Sequence, residues 1–221
     1  MIGVILMLTR IKLLTIVTEM GSEDKFINVL KGFEINSFTL TRALGTASPS
    51  LMDYFGLNEV KKQIVMCIIP EYLEYDICTV LKELLKYPGA GVAYSIPITA
   101  SNKFLQDKFK NNKEVIHMDK SNKSLIFTIV TEGYFEEVMN AAKKSGATGG
   151  TLIRGRGLQA KEATKILGIS IDPEKEIVMI IVDNDIKIKV MEAINKKVGL
   201  NTDGKGICFS IPVDAAIGFK N

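Results

Sequence analysis

The sequence predicts an α+β protein in which one small βαββαβ unit occurs twice in tandem. Two observations support this prediction: four segments recur in the same order, and in each copy β-branched runs alternate with segments of helical apolar spacing. The recurring segments lie 112 to 115 residues apart: TIVTE begins at Thr15 and Thr128, TLTRALG and TLIRGRG at Thr39 and Thr151, QIVMCII and EIVMIIV at Gln63 and Glu176, and YSIPI and FSIPV at Tyr94 and Phe209.

The first copy is predicted to contain four strands and two helices. In its first helix, apolar residues fall three or four positions apart on one face, from Phe26 to Phe33. The predicted elements are strands at Leu13–Val17, Ser37–Ala43, Gln63–Ile69 and Val92–Ile98, and helices at Glu23–Phe33 and Tyr72–Tyr87.

The second copy has the same order, which is that of the ferredoxin-like split βαβ unit. Gly146 is expected to end its first helix, and Asn184 and Asp185 are expected to cap the start of its second. The predicted strands are Leu125–Thr131, Thr151–Arg156, Glu176–Val182 and Gly206–Val213, and the helices are Tyr134–Ser145 and Asp185–Val198. The predicted domains are therefore residues 1–99 and 123–221, joined by a polar, lysine-rich linker at 100–122.

Composition narrows the classes of function. A net charge of +3 and the lack of a basic run argue against nucleic-acid binding. The apolar stretch Gly3–Leu8 is too short for a membrane span of about 20 residues, so we expect an edge strand or a packed tail in a cytoplasmic protein. Cys67, Cys78 and Cys208 lack metal-ligand spacing and are expected to be buried, reduced thiols. The single histidine, His117, is expected to be a solvated linker residue.

Chemistry is expected where the two copies differ. Only the second copy has a glycine-rich basic strand end, from Gly149 to Gly157, and a glycine-lysine turn at Thr202–Gly206. Glycines allow close backbone approach, and cations suit phosphate oxygens. A long connection, Leu158–Lys175, follows the strand end, and Ala160–Leu167 within it is compatible with a helix. The chain has no recognisable nucleophile motif, so catalysis is not indicated.

These elements together resemble a known family. The segments SGATGGTLIRGRGLQAKEA, PEKEIVMIIV and VGLNTDGKGICFSIPV resemble the PII nitrogen-regulatory family and its PII-like branch over Leu125–Ala216. The first copy looks like a degenerate PII domain over Leu13–Ile98. The resemblance implies ferredoxin-like trimers that bind ATP or ADP in clefts between subunits, with a loop after strand two that docks on a regulated transporter or enzyme.

The resemblance also implies site residues. Gln159 would help to hold magnesium and 2-oxoglutarate, and the other positions would contact the nucleotide. The implied positions are Thr148, Arg154, Gly155, Gly157, Gln159, Gly204 and Lys205.

The chain departs from the family pattern at three places. Leu158 stands where a basic residue is usual, the C-terminal DAAIGFKN lacks the family's arginines, and Leu158–Lys175 lacks the modified tyrosine of some members. An AMP-type nucleotide or another small anion is therefore an alternative to ATP or ADP with magnesium and 2-oxoglutarate.

The predicted function is that of a non-enzymatic PII-like signalling protein, with three chains supplying six domains. One alternative is a ligand-free trimeric ferredoxin-like interaction or scaffold protein. A second is a small enzyme with acylphosphatase-like chemistry, for which Arg154 and Arg156 show no evident catalytic partner in the sequence.

Overall fold

The computed structural model describes residues 10–45, 60–87, 89–110, 116, 120–157, 164–166, 169–171 and 174–219. The βαββαβ order occurs twice, which confirms the predicted fold class. The chain forms two compact units. The first unit holds the described residues of Met1–Arg42, Lys61–Asn122 and Pro212–Asn221, and the second holds those of Ala43–Val60 and Lys123–Ile211. The predicted domain ranges, 1–99 and 123–221, stay predictions.

The first copy is built on its first strand, β1, which pairs antiparallel with the third and fourth strands. Thr15 lies opposite Met66 on one side and Tyr94 on the other. The helices cover one face of the sheet and bury Phe26 and Ile77 completely. The elements are β1 (Ile11–Glu19), α1 (Glu23–Gly32), β2 (Thr39–Gly45), β3 (Val60–Pro70), a 3-10 turn (Glu71–Leu73), α2 (Glu74–Leu84) and β4 (Val92–Ile98).

Two elements of the first unit were not predicted. Helix α3 (Lys103–Lys108) lies within the predicted linker, where the Asn102 side chain accepts a hydrogen bond of 3.1 Å from the Leu105 amide. A short strand near the C-terminus, which we number β11 (Ala215–Ile217), pairs antiparallel with β4. Both are too short to produce a periodic pattern.

The second copy repeats the arrangement. Its central pairing is between Lys123–Thr131 and Glu174–Asp183, which are antiparallel. On its other side, Glu174–Asp183 pairs antiparallel with Thr151–Arg156. Val138 and Ile194, one from each helix, are fully buried in its core. The elements are β5 (Lys123–Thr131), α4 (Phe135–Lys144), β6 (Thr151–Arg156), β7 (Thr164–Ile166), β8 (Ile169–Ile171), β9 (Glu174–Asp183), α5 (Lys187–Val198) and β10 (Ile207–Val213).

The predicted helix ends have different outcomes. Gly146 follows the end of α4 with φ of 111°, a left-handed conformation that favours glycine, so its role is confirmed. The predicted caps of α5 are wrong. That helix begins at Lys187, and Ile186 precedes it without a side-chain cap. Asn184 instead accepts a hydrogen bond of 2.6 Å from the Ser124 hydroxyl, so its side chain serves the neighbouring strand.

The long connection of the second copy contains a hairpin. Strands β7 and β8 pair antiparallel, with Thr164 opposite Ile171. The segment Ala160–Leu167 is compatible with a helix by sequence, but residues 164–166 form a strand, which their β-branched residues favour. The remaining residues of this connection, like Gly3–Leu8 and His117, lie outside the described residues.

The cysteines are free thiols. Cys67 and Cys78 are buried as predicted, whereas Cys208 is only half-buried, so the prediction is wrong in that respect. Burial raises the pKa of Cys67 to about 12. Within the part of the chain that the structure describes, no helix is long and apolar enough to cross a membrane.

Candidate functional site

The glycine-rich strand end and the glycine-lysine turn lie at the same end of one sheet in the second copy. Gly155 in β6 lies opposite Lys175 in β9, and Lys175 lies opposite Thr131 in β5. The Thr131 amide donates a hydrogen bond of 3.0 Å to the Gly204 carbonyl oxygen. At a strand spacing of about 4.8 Å, β6 and β5 lie about 10 Å apart. The two predicted segments therefore lie at the same ends of neighbouring strands, with β9 between them. We call this end of the sheet the sheet edge.

Lys175 occupies the middle of this edge. Its side chain is half-buried, and Nζ lies 3.5 Å from the Thr131 hydroxyl oxygen. The sequence identified Lys175 only as the end of a loop. The pairing register of β6, β9 and β5 places Lys175 between Gly155 and the 202–206 turn. A single sequence does not reveal strand register.

The two arginines of β6 each face a glutamate of β9. The Arg156 Nε donates a hydrogen bond of 3.1 Å to Glu174 Oε1, and the Arg154 Nε lies 3.9 Å from Glu176 Oε1. Both pairs lie directly across the β6–β9 ladder. Arg154 and Arg156 therefore have acidic partners in the structure, which the sequence did not suggest.

Glu176 also fixes the turn between β5 and α4. Its side chain is 3% exposed, and Oε2 accepts hydrogen bonds from the amides of Gly133 at 3.1 Å and Phe135 at 2.9 Å. Phe135 is the first residue of α4, so the carboxylate serves as the cap that the preceding residue, Tyr134, does not provide. This buried carboxylate therefore connects the β6 strand end with the turn beside Gly204.

Gly155 leaves open space at the strand end. A Cβ added to Gly155 would meet no atom of the described residues within 4 Å, so among these residues the backbone is open to a ligand. Gly157 is half-buried after the last residue of β6, and Thr148 is exposed between α4 and β6. The structure therefore places Thr148 on the approach to β6 and Gly157 at its opposite end, where the long connection begins.

The glycines of the second turn have a packing role. A Cβ on Gly206 would lie 2.3 Å from the Val198 carbonyl oxygen, and one on Gly204 would lie 3.0 Å from the Val198 Cβ. Both glycines therefore let the turn close against the end of α5. Lys205 between them is exposed with φ of 44°, and its amide donates to the Thr202 carbonyl at 3.0 Å.

Gln159, the predicted magnesium ligand, lies outside the described residues. Among the residues that are described, no group of three or more histidine, cysteine or acidic side chains could hold a metal ion. The magnesium site therefore stays a prediction.

The first copy differs from the second in its turn and in the charges at this end of the sheet. Gly91 has φ of 128°, and a Cβ there would lie 2.3 Å from the Val17 carbonyl oxygen of β1, whereas Gly206 packs against α5. At the positions of Glu174, Lys175 and Glu176, the repeat places Lys61, Lys62 and Gln63. The side-chain Nε2 of Gln63 donates a hydrogen bond of 3.1 Å to the Thr41 carbonyl oxygen.

Comparison with known proteins gives one family match. Residues 123–221 match the family model described as Nitrogen regulatory protein P-II. No curated protein matches the chain. The family model covers the copy that holds the candidate site.

Several solved structures are similar to this chain at low TM-scores. A PII protein of Arabidopsis thaliana bound to citrate is 22% identical, with 44% of this chain and 81% of that chain covered and a TM-score of 0.33. A GlnK–ATP complex from B. subtilis is 24% identical over 44% and 84%, with a TM-score of 0.31. An unknown protein from Galdieria sulphuraria is 12% identical over 93% and 99%, also with a TM-score of 0.31.

Proposed function

Because residues 123–221 form a domain of the nitrogen regulatory protein P-II family, we propose that the chain is a non-enzymatic signalling protein whose second copy binds an adenine nucleotide. The observation that carries this proposal is the placement of the β6 strand end and the Gly204–Lys205 turn at one end of one sheet, in the copy that the family model matches.

The proposed contacts follow from the geometry of that edge. The open backbone at Gly155 would accept close approach of the ligand, and exposed Lys205 would pair with a phosphate. Half-buried Lys175 would supply a second cation between them. Arg154 and Gly157 would complete the wall of this site, and Gln159 would hold magnesium and 2-oxoglutarate. Thr148 lies before the other end of β6, so it would contact a nucleotide held at a neighbouring subunit.

The site would be completed by a neighbouring subunit in an assembly of three chains. On the second copy, Phe127 and Phe209 stack with ring centroids 5.4 Å apart, and Phe209 remains 41% exposed. Ile207 on the same strand is 51% exposed. Exposed apolar residues gathered on a sheet are typical of a surface that packs against another protein, which supports the trimer.

The regulatory output would come from the connection at 158–175. A ligand shifts a conformational equilibrium only through its different affinities for the two states. This connection begins immediately after Gly157 and ends at Lys175, so a ligand at the strand end would touch both of its ends. The regulated partner would be a transporter or an enzyme in the cytoplasm.

Isothermal titration of the full chain with AMP, ADP, ATP and cyclic AMP, with and without magnesium and 2-oxoglutarate, tests the proposal. Lys205→Ala is expected to raise the dissociation constant of the nucleotide about tenfold, which corresponds to about 1.4 kcal/mol of binding free energy. Lys196→Ala is the matched control, because Lys196 is an exposed lysine in the last turn of α5. Binding that is equal in Lys205→Ala and wild type would contradict the proposed site.

One observation favours a second candidate function, a ligand-free scaffold. Gly204 and Gly206 are explained by packing against Val198, so this turn does not need a ligand to account for its glycines. A trimer in solution that gives no heat with any of the four nucleotides would support the scaffold.

A further inference from the structure

The acidic partners of the β6 arginines bear on the class of ligand that this site would take. Arg154 faces Glu176, and Arg156 faces Glu174, across adjacent strands. These are the cations that a phosphate-binding strand end would otherwise present freely. Each arginine charge is therefore offset by a carboxylate of the same protein.

Among the residues that the structure describes, the rest of this end of the sheet is also nearly neutral. Carboxylates balance the cations of β6, the start of β9 and the 202–206 turn. Glu132 lies in the β5–α4 turn, where its backbone amide donates a hydrogen bond of 3.2 Å to the Glu174 carbonyl oxygen, and Asp203 lies two residues before Lys205. The cations are Arg154, Arg156, Lys175 and Lys205, and the carboxylates are Glu132, Glu174, Glu176 and Asp203.

Glu176 has the strongest effect among these carboxylates. Its side chain is 3% exposed, so its charge is poorly screened by solvent, and its Oε2 accepts hydrogen bonds from two backbone amides. Glu174 is 45% exposed and is screened more. The first copy has Gln63 and Lys61 at these two positions, so the fold itself does not require either carboxylate.

We propose that Glu174 and Glu176 are specificity-determining residues that make the second copy prefer a nucleoside monophosphate to a nucleoside triphosphate. This inference rests on the proposed function and adds the ligand class to it. A triphosphate brings roughly two more negative charges than a monophosphate. Fixed carboxylates repel those extra charges, and arginines already paired with carboxylates attract them less. The carboxylates thus act against the competing ligand.

The test is the ratio of dissociation constants for AMP and ATP, measured by isothermal titration on the full chain. Wild type is expected to bind AMP at least as tightly as ATP. Glu176→Gln keeps the length of the side chain and an oxygen for the Gly133 and Phe135 amides, while it removes the charge. We expect this substitution to shift the ratio about tenfold in favour of ATP, and Glu174→Gln to shift it in the same direction by less.

The control is Glu192→Gln, which makes the same change in net charge at an exposed position of α5. A general loss of protein stability would weaken the binding of AMP and ATP by the same factor and leave the ratio of their dissociation constants unchanged. The ratio therefore separates an effect on specificity from an effect on folding. If Glu176→Gln does not fold, Glu174→Gln decides the question, because Glu174 is half-exposed and outside the core.

The outcomes distinguish this inference from the function on which it rests. A wild type that binds ATP much more tightly than AMP, or a ratio that changes equally in Glu192→Gln, would overturn the inference and leave nucleotide binding intact. An absence of binding by any nucleotide would overturn both. A shift toward ATP in the two strand variants alone would establish it.

Discussion

Replacement of Lys12 by methionine is expected to destabilise the first unit strongly. The Lys12 side chain in β1 is 8% exposed. Its Nζ donates a hydrogen bond of 2.5 Å to Glu74 Oε2 and lies 3.0 Å from Asp214 Oδ2. Glu74 also accepts a hydrogen bond from the fully buried Ser95 hydroxyl. Burial alone would lower the pKa of Lys12, but the hydrogen bonds and charges of Glu74 and Asp214 raise it above its ordinary value.

The size of the effect follows from the burial of the group. Lys12→Met would leave Glu74, which is 5% exposed, without its cation. Removing one partner of a buried ion pair costs about 3 to 5 kcal/mol, because the remaining charge stays desolvated and unpaired. For a chain of this size that corresponds to a fall of about 10 °C in the midpoint of thermal unfolding.

Urea denaturation followed by circular dichroism would measure the change. The control is Lys86→Met, since Lys86 pairs with Glu83 at 3.1 Å on the surface, where both side chains are more than half exposed. Surface pairs contribute about 0 to 1 kcal/mol. A loss in Lys12→Met no larger than that in Lys86→Met would refute the reasoning that burial makes this ion pair important.

Two further predictions concern pH and packing. The free energy of unfolding is expected to fall as pH rises from 9 toward 12 in a denaturation series. The folded protein holds the pKa of Cys67 and of Tyr94 near 12, against ordinary values of 9.0 and 10.0, so the unfolded chain ionises first. A flat profile over this range would contradict the burial of these groups. Gly206→Ala is expected to lower the thermal midpoint, because its Cβ would lie 2.3 Å from the Val198 carbonyl oxygen. The Cβ of Gly155→Ala would meet no atom of the described part of the chain within 4 Å, so this variant is expected to leave the midpoint nearly unchanged and to weaken nucleotide binding. Equal midpoints for the two variants would contradict this contrast.

The sequence was sufficient for the strands and helices of the two βαββαβ units, but not for α3, β11 or the hairpin of β7 and β8. The predicted bounds of β4 and β6 agree with the structure. The internal repeat also placed the corresponding strands of the two copies. Periodicity and repetition are properties of the sequence itself, so they could be used before any coordinates.

The sequence could propose some residues of the candidate site and not others, for a physical reason. Gly155 and Lys205 were proposed from the difference between the copies, whereas Lys175 and Glu176 were not. Their roles depend on which residue lies opposite them in the neighbouring strand, and strand register is a tertiary property. The caps expected for α5 were wrong for a similar reason, since Asn184 bonds to Ser124, which is distant in the sequence.

The measurement that tests nucleotide binding by the second copy most directly is hydrogen–deuterium exchange of the full chain with and without AMP. The proposal predicts slower exchange in the 202–206 turn and at residues 154–157, with no change in the corresponding 89–91 turn of the first copy. Equal exchange in all three segments, or protection in the first copy alone, would contradict the assignment of the ligand site to the second copy.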